Sequence, residues 1–169
     1  MSLWLDTLVD DELSPTNPLR GDADYDVAVV GGGFTGLWTA YYLVERDPAL
    51  RIAVLERDVC GFGASGRNGG WCEGELVAGI DGYAKHGTPE SALRLIRAMH
   101  DTVDEVGRVA DAEGIDCGYA KGGSVYLARN KPQAKRMIDA VAHEHAMGLA
   151  EEDVRLLSGS EARAMVNAT

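Results

Sequence analysis

Tyr25-Asp26-Val27-Ala28-Val29-Val30 runs directly into Gly31-Gly32-Gly33-Phe34-Thr35-Gly36. The first stretch is rich in β-branched residues and ends at glycine, which reads as a short buried strand. The second satisfies the spacing GxGxxG. Phe34 to Arg46 continues as a helix, apolar on most of its surface as a buried crossover helix is. Asp47-Pro48 ends it, because the residue before a proline is pushed out of the helical region. Arg51-Ile52-Ala53-Val54-Leu55-Glu56 is a second strand of the same character. Strand, helix and strand within about 30 residues make a parallel βαβ unit.

In that context each glycine has a task. Gly31 permits the tight turn, Gly33 lets the backbone approach a pyrophosphate, and Gly36 allows close packing of helix on strand. The phosphates sit at the positive helix end, where unpaired N–H groups point. Glu56 closes the second strand 20 residues beyond Gly36. A carboxylate there accepts hydrogen bonds from an adenosine ribose and repels a 2′-phosphate, which disfavours NADP. NAD and FAD share this fingerprint. The following Arg57 and the run Gly61-Phe62-Gly63-Ala64-Ser65-Gly66-Arg67-Asn68-Gly69-Gly70-Trp71 depart from the regular helices and strands of an ordinary NAD domain.

Working outward, residues 1–24 form an acidic arm broken by Pro15 and Pro18, with Trp4 and Leu5 as its anchors to a core. Residues 57–87 read as glycine-studded loop. Thr88 then offers an N-cap, with Pro89 at the first helical position and Glu90 at the positive end. Leu93, Ile96, Met99, Val103, Val106 and Ala110 form the apolar stripe of an amphipathic helix that Gly114 closes. Ile115 to Ala120 and Ser124 to Ala128 read as two strands of a hairpin around Lys121-Gly122-Gly123. Pro132 to Met147 is a further helix stopped by Gly148. Ser158-Gly159-Ser160-Glu161 fits a capping box opening a last helix, with Asn167-Ala168-Thr169 soon after its start.

The 169 residues hold 46% hydrophobic and 25% charged residues, a globular composition. Glycine stands out: 13 of the 21 glycines fall between Gly31 and Gly87. A net charge of -11 argues against a nucleic-acid partner bound through phosphate neutralisation. Cys60, Cys72 and Cys117 form no CxxC pair, which points to a reducing compartment. The N-terminus has neither the basic start nor the apolar run of a signal peptide, and no stretch has the length of a membrane span. A cytoplasmic protein is expected.

DVAVVGGGFTGLWTAYYL, VLERD and GFGASGRNGGW together resemble the N-terminal part of flavin-dependent amine oxidoreductases. These are the D-amino-acid oxidase, glycine oxidase and sarcosine oxidase superfamily, here most similar to the branch with gamma-glutamylputrescine oxidoreductase. The acidic arm and Gly122 to Arg129 resemble that branch too. The resemblance implies FAD as cofactor. It implies that Gly31, Gly33, Phe34, Thr35 and Gly36 contact the pyrophosphate, and that Glu56 holds the adenosine ribose with Arg57 beside it. Ala64, Ser65 and Gly66 would pass along the diphosphate and ribityl chain. Arg67, Asn68, Gly69 and Gly70 would line the flavin ring. One departure is a helix–strand loop about two residues longer than the usual fingerprint, with Asp47 where a glycine often stands.

The implied fold class is α/β, a Rossmann-like FAD-binding βαβ unit plus the start of an α+β substrate domain with antiparallel strands over the flavin. The fold is expected to be incomplete, the N-terminal part of a chain more than twice as long. Its segments are the arm at 1–24, the FAD-binding segment at 25–87 and the substrate domain from 88 to 169. The implied reaction oxidises the C–N bond of a small amine or amino acid. Hydride passes to the flavin, the imine hydrolyses, and oxygen reoxidises the flavin with release of hydrogen peroxide. No catalytic side chain is assigned.

Two alternatives stay open. One is an NAD-binding dehydrogenase or sensor. The other is a non-catalytic fragment, since no further long buried parallel strand and no late glycine–aspartate loop follow Glu56. Among lesser candidates, Cys72 reads as a small buried thiol. His143 and His145, two apart on a helix, do not make a metal pair, and His86 and His100 lack partners at ligand spacing. Glu73, Glu75 and Asp81 read as solvated loop carboxylates, and Tyr119 and Tyr126 as packing residues.

Overall fold

The computed structural model describes residues 2–8, 14–16 and 18–166. Expectations for residues 9–13 and 17 of the arm, and for Asn167, Ala168 and Thr169, lie outside the described residues. The chain divides into two compact units, Met1–Trp71 and Cys72–Thr169.

The first unit contains a four-residue helix α1 (Leu3–Asp6), strand β1 (Val27–Val30), helix α2 (Phe34–Arg46), strand β2 (Ile52–Leu55) and a 3₁₀ turn at Ala64–Gly66. β1 and β2 pair in parallel, with Val27 opposite Ile52 and Val30 opposite Leu55. The pair is aligned at its start by Asp26. Its carboxylate accepts the Arg51 backbone N–H at 2.8 Å and the Arg51 Nε–H at 3.2 Å, while the Asp26 N–H donates to the Arg51 carbonyl at 3.0 Å. At the far end the Gly31 N–H donates to the Leu55 carbonyl at 2.8 Å.

α2 ends at Asp47, whose backbone is extended. The longer loop closes as an Asx turn, with Ala49 N–H on the Asp47 Oδ1 at 3.1 Å. The unusual residue thus reshapes a turn only. Trp38, Tyr41 and Tyr42 cluster on α2, with Trp38 stacked on Tyr42 at 5.6 Å between ring centres. α2 was expected to be buried, yet none of its residues is. It packs on a sheet of only two strands. Val30 is accordingly 86% exposed.

The second unit is helical: α3 (Gly79–Ala84), α4 (Pro89–Ala112), α5 (Lys131–Ala146) and α6 (Gly159–Met165). Residues 79–84, read as loop, are α3, and residues 72–87 fold with the helices that follow. Ile80 of α3 meets Ala92 and Ile96 of α4 and Leu149 in the core, flanked by Leu76, Leu93, Met147 and Val154. Each of the large side chains stabilises by about 1.5–3 kcal/mol through burial.

The caps explain where the helices start. Thr88 Oγ1 accepts the Ser91 N–H at 3.2 Å and Ser91 Oγ accepts the Thr88 N–H at 2.9 Å. Asn130 caps α5 and Ser158 with Glu161 boxes α6. Gly114 and Gly148 take positive φ just past α4 and α5, where a left-handed residue ends a helix.

The hairpin does not form. Residues 115–120 and 124–128 carry no strand and share no backbone ladder. A lone two-stranded hairpin is marginal without a third strand or a packed face. Here the side chains tie these segments elsewhere instead. Tyr119 lies on α4 at Gly107 and donates its hydroxyl to the Val103 carbonyl at 2.8 Å. Lys121 pairs with Asp104, and Tyr126 donates to Glu75.

Candidate functional site

Two glycine loops meet in the first unit. Gly31 takes φ +100° and Gly61 φ +79°, and each is followed five residues later by a glycine folded under its carbonyl. A Cβ on Gly36 would stand 2.1 Å from the Gly31 oxygen, and one on Gly66 would stand 2.3 Å from the Gly61 oxygen. The loops are therefore two copies of one turn. Their spacing, G-x4-G at 31/36 and 61/66, is a signal in the sequence that the fingerprint alone does not pick out.

Hydrogen bonds join the loops. The Gly61 N–H donates to the Gly32 carbonyl at 2.9 Å, and the Phe34 N–H donates to Ser65 Oγ at 2.9 Å. Gly32 is the one buried residue among the described residues of this unit. A Cβ there would meet Cys60 Sγ at 2.7 Å, so the middle glycine answers a packing need.

Glu56 is seated at this junction. Its Oε2 accepts the Gly32 N–H at 2.8 Å, and its Oε1 accepts those of Arg57 at 2.7 Å and Asp58 at 3.0 Å. The Asp58 amide first, then that of Gly32, holds the carboxyl below its ordinary value of 4.5. A carboxylate offers about four acceptor sites, which leaves Oε2 capacity for a further donor.

A cleft of about 330 Å³ opens beside the first loop, lined by Val29, Val30, Gly31, Gly33, Phe34, Thr35, Gly36, Thr39 and Ser65. α2 presents its N-terminus here without a side-chain cap, because Gly33 holds the cap position. Open N–H groups and the helix dipole suit an anion. Thr39, whose hydroxyl donates to the Thr35 carbonyl at 2.7 Å, also lines this cleft and was missed from sequence. A dinucleotide phosphate fits these residues: a Cβ at Gly33 would crowd Ser65 Oγ at 3.0 Å and fill the approach.

The remaining candidates fall outside the cleft. Ala64 and Gly66 form the 3₁₀ turn. Arg57 pairs with Asp58 at 3.1 Å, and Arg67 lies over the Phe62 ring at 4.7 Å. Asn68 clamps its own loop, bonding the Ser65 carbonyl and the Gly70 N–H. A Cβ on Gly69 would meet nothing, whereas Gly70, at φ +76°, lies under the Trp4 indole.

Several lesser expectations change. Cys72 is exposed, in an irregular stretch beside a Trp71 that is itself 82% exposed. Glu75 is engaged by the Tyr126 hydroxyl and raises that phenol above its ordinary 10.0, and Glu73 faces Ser124 at 3.5 Å. Tyr126, 63% exposed, is held by that bond more than by packing. Asp81 meets His143 Nε2 at 3.0 Å, His145 reaches the Val154 carbonyl at 2.8 Å, and His100 faces Asp153 at 3.7 Å. Among the described residues no helix is long and apolar enough to cross a membrane.

The first unit is thus a small α/β unit, two parallel strands joined through a glycine turn and a helix, with a carboxylate just past the second strand. Residues 26–169 match the DAO family, described as FAD dependent oxidoreductase, and the chain belongs to that family. It is 36% identical over 120 residues to gamma-glutamylputrescine oxidoreductase of Escherichia coli (strain K12), covering 71% of this chain and 28% of that protein. It is 34% identical over 128 residues to the probable oxidoreductase OrdL of Haemophilus influenzae, covering 76% of this chain and 29% of that one. Over 44 residues it is 52% identical to sarcosine oxidase subunit beta of Rhizobium meliloti, covering 26% of this chain and 11% of the relative. The chain thus spans under a third of the first two relatives. No solved structure matches it.

Proposed function

We propose that the first unit holds FAD and that the chain serves an oxidoreductase acting on the C–N bond of a small amine or amino acid. One observation carries the cofactor reading: the N-terminus of α2, which has glycine at its cap position and only the Phe34 N–H held by Ser65, opens on the cleft, with Glu56 ionised at the adjoining turn. Gly31, Gly33, Phe34, Thr35 and Gly36 would contact the pyrophosphate through the Thr35 hydroxyl and those backbone N–H groups that the Leu55 carbonyl and Ser65 Oγ do not already hold, and Glu56 would take the adenosine ribose, with Arg57 beside it. Ala64, Ser65 and Gly66 would follow the diphosphate and ribityl chain, and Arg67 to Gly70 the ring. FAD when bound supplies the two-electron oxidation, with oxygen as the acceptor that restores it. The protein's part is to bind, orient and exclude the 2′-phosphate of NADP.

The substrate class comes from the names of the E. coli and Rhizobium relatives. In this reading residues 25–87 are the cofactor segment and 88–169 begin a substrate domain. Three free, exposed cysteines support a reducing compartment such as the cytoplasm. The test is titration of the chain with FAD and, separately, NAD, followed by visible absorption. Retention of yellow flavin supports the reading; retention of NAD without flavin sinks it.

A further inference from the structure

We propose that Trp4 is a positioning residue for the Gly66–Gly70 part of the second loop, and that the N-terminal arm thereby belongs to the cofactor site. The inference rests on the reading above that this segment lines the flavin ring.

The arm grips alternate residues of the loop. Ser2 Oγ donates to the Gly66 carbonyl, Trp4 Nε1 donates to the Asn68 carbonyl at 2.8 Å, and the indole covers Gly70. A Cβ at Gly70 would stand 2.7 Å from Trp4 Cζ2 and 2.9 Å from Cη2, so that edge of the indole abuts bare backbone. A four-residue helix has no stability of its own in water. α1 is therefore held where it is by docking, and Ser2 serves both sides by also accepting the Leu5 N–H at 3.3 Å.

The loop has little else to fix it. Arg67 is turned onto Phe62, the surroundings of Gly69 are open, and the Asn68 side chain braces only neighbours within the loop. Indole suits the task because its benzo edge fits against a glycine that has no side chain while its N–H is satisfied by a carbonyl. Trp4 is not among the residues lining the cleft, and its indole N–H goes to Asn68, so it acts through the loop and is not a catalytic residue.

The test uses the whole chain, unsubstituted and as Trp4→Ala and Trp4→Phe, with hydrogen exchange and FAD titration. Without FAD, Trp4→Ala is expected to speed exchange at Arg67 and Gly70 about tenfold, as loss of one packed hydrogen bond predicts. The β1 and β2 amides should stay protected and serve as the control for folding. With FAD, Trp4→Ala should weaken binding about tenfold and flatten the shoulders of the bound flavin's visible band toward those of free FAD. Trp4→Phe keeps the ring and should recover part of both.

Unchanged exchange at Arg67 and Gly70 in Trp4→Ala would overturn the proposal. So would faster exchange with unaltered affinity and band shape in a chain that binds FAD. If the unsubstituted chain takes up no FAD, the functional reading fails first and this role goes with it.

Discussion

The carbonyl oxygen of Gly31 comes within 2.1 Å of the point where a Cβ on Gly36 would stand. Both atoms belong to backbone fixed at the mouth of α2, so neither has room to yield. Gly33, three residues earlier, faces only the Ser65 side chain, whose Oγ stands at 3.0 Å and can shift by a few tenths of an ångström while keeping its bond from Phe34.

These two glycines should therefore fail differently. Gly36→Ala is expected to destabilise the first unit by about 3 kcal/mol, the upper range for forced overpacking, read as a lower urea midpoint at constant slope. Gly33→Ala should cost less than about 1 kcal/mol in stability yet weaken FAD about tenfold or more, since its methyl enters the cleft. The reverse pattern would contradict the assignment of Gly33 to the ligand side.

Glu56→Gln should weaken FAD binding about tenfold to a hundredfold. The carboxylate accepts three backbone N–H groups, and an amide NH2 turned toward any of them meets donor with donor. The pH dependence has a definite sign. The folded carboxyl titrates below its ordinary 4.5, so its contribution is full above 4.5 and fades as pH falls through the lower folded value. An NMR midpoint for Glu56 at or above 4.5 would refute this seat.

Glu161 gives a second acid test, remote from the site. The Ser158 backbone N–H, its hydroxyl and Arg155 together hold this carboxyl down to about 2. Because the folded value is depressed, α6 should keep its cap above pH 4.5 and lose it progressively toward pH 2. Amide exchange at Ser158, whose N–H the carboxylate accepts at 2.8 Å, followed with a carboxyl titration, measures both. A midpoint near 4.5 would mean that the box is open in solution.

Gly107→Ala runs against helix propensity. Alanine inside α4 should gain about 1 kcal/mol over glycine, but its Cβ would stand 2.4 Å from Tyr119 Cε1. Displacing the ring forfeits its packing and the bond to the Val103 carbonyl. A net loss of about 1 kcal/mol is expected from those two terms, with a fall in thermal midpoint. A gain in stability would show that Tyr119 is not seated on the helix.

Much of this was legible in the residues. Val27–Val30 and Ile52–Leu55 are short apolar β-branched runs, and the glycine turn between the first and α2 dictates a helix start. Thr88 with Pro89, and Ser158 with Glu161, mark helix starts with side chains that must find an N–H. α3 was not legible, because Gly79 and Gly82 are poor helix formers and Ile80 forms it by packing into the core. Residues 115–128 misled in the other direction: β propensity depends on what a strand packs against, and Tyr119 found a helix. Around the site, spacing placed the glycine turn at the start of α2 and Glu56 just past β2. The Trp4 and Cys60 contacts lie 64 and 28 positions from their partners Asn68 and Gly32, beyond any local pattern.

The bonds between Asp26 and Arg51 have a consequence at a distance. They lock which residue of one strand stands opposite which of the other, at the end away from the glycine turn. Sliding the pair by one position would send every side chain to the opposite face, and Glu56 would no longer meet the Gly32 amide. A solvent-facing pair of charges, which touches no part of the cleft, thus acts as an alignment key for it. In the proposed reading, selectivity among nucleotides would be written twice, once in the carboxylate offered to the ribose and once in the register that delivers it.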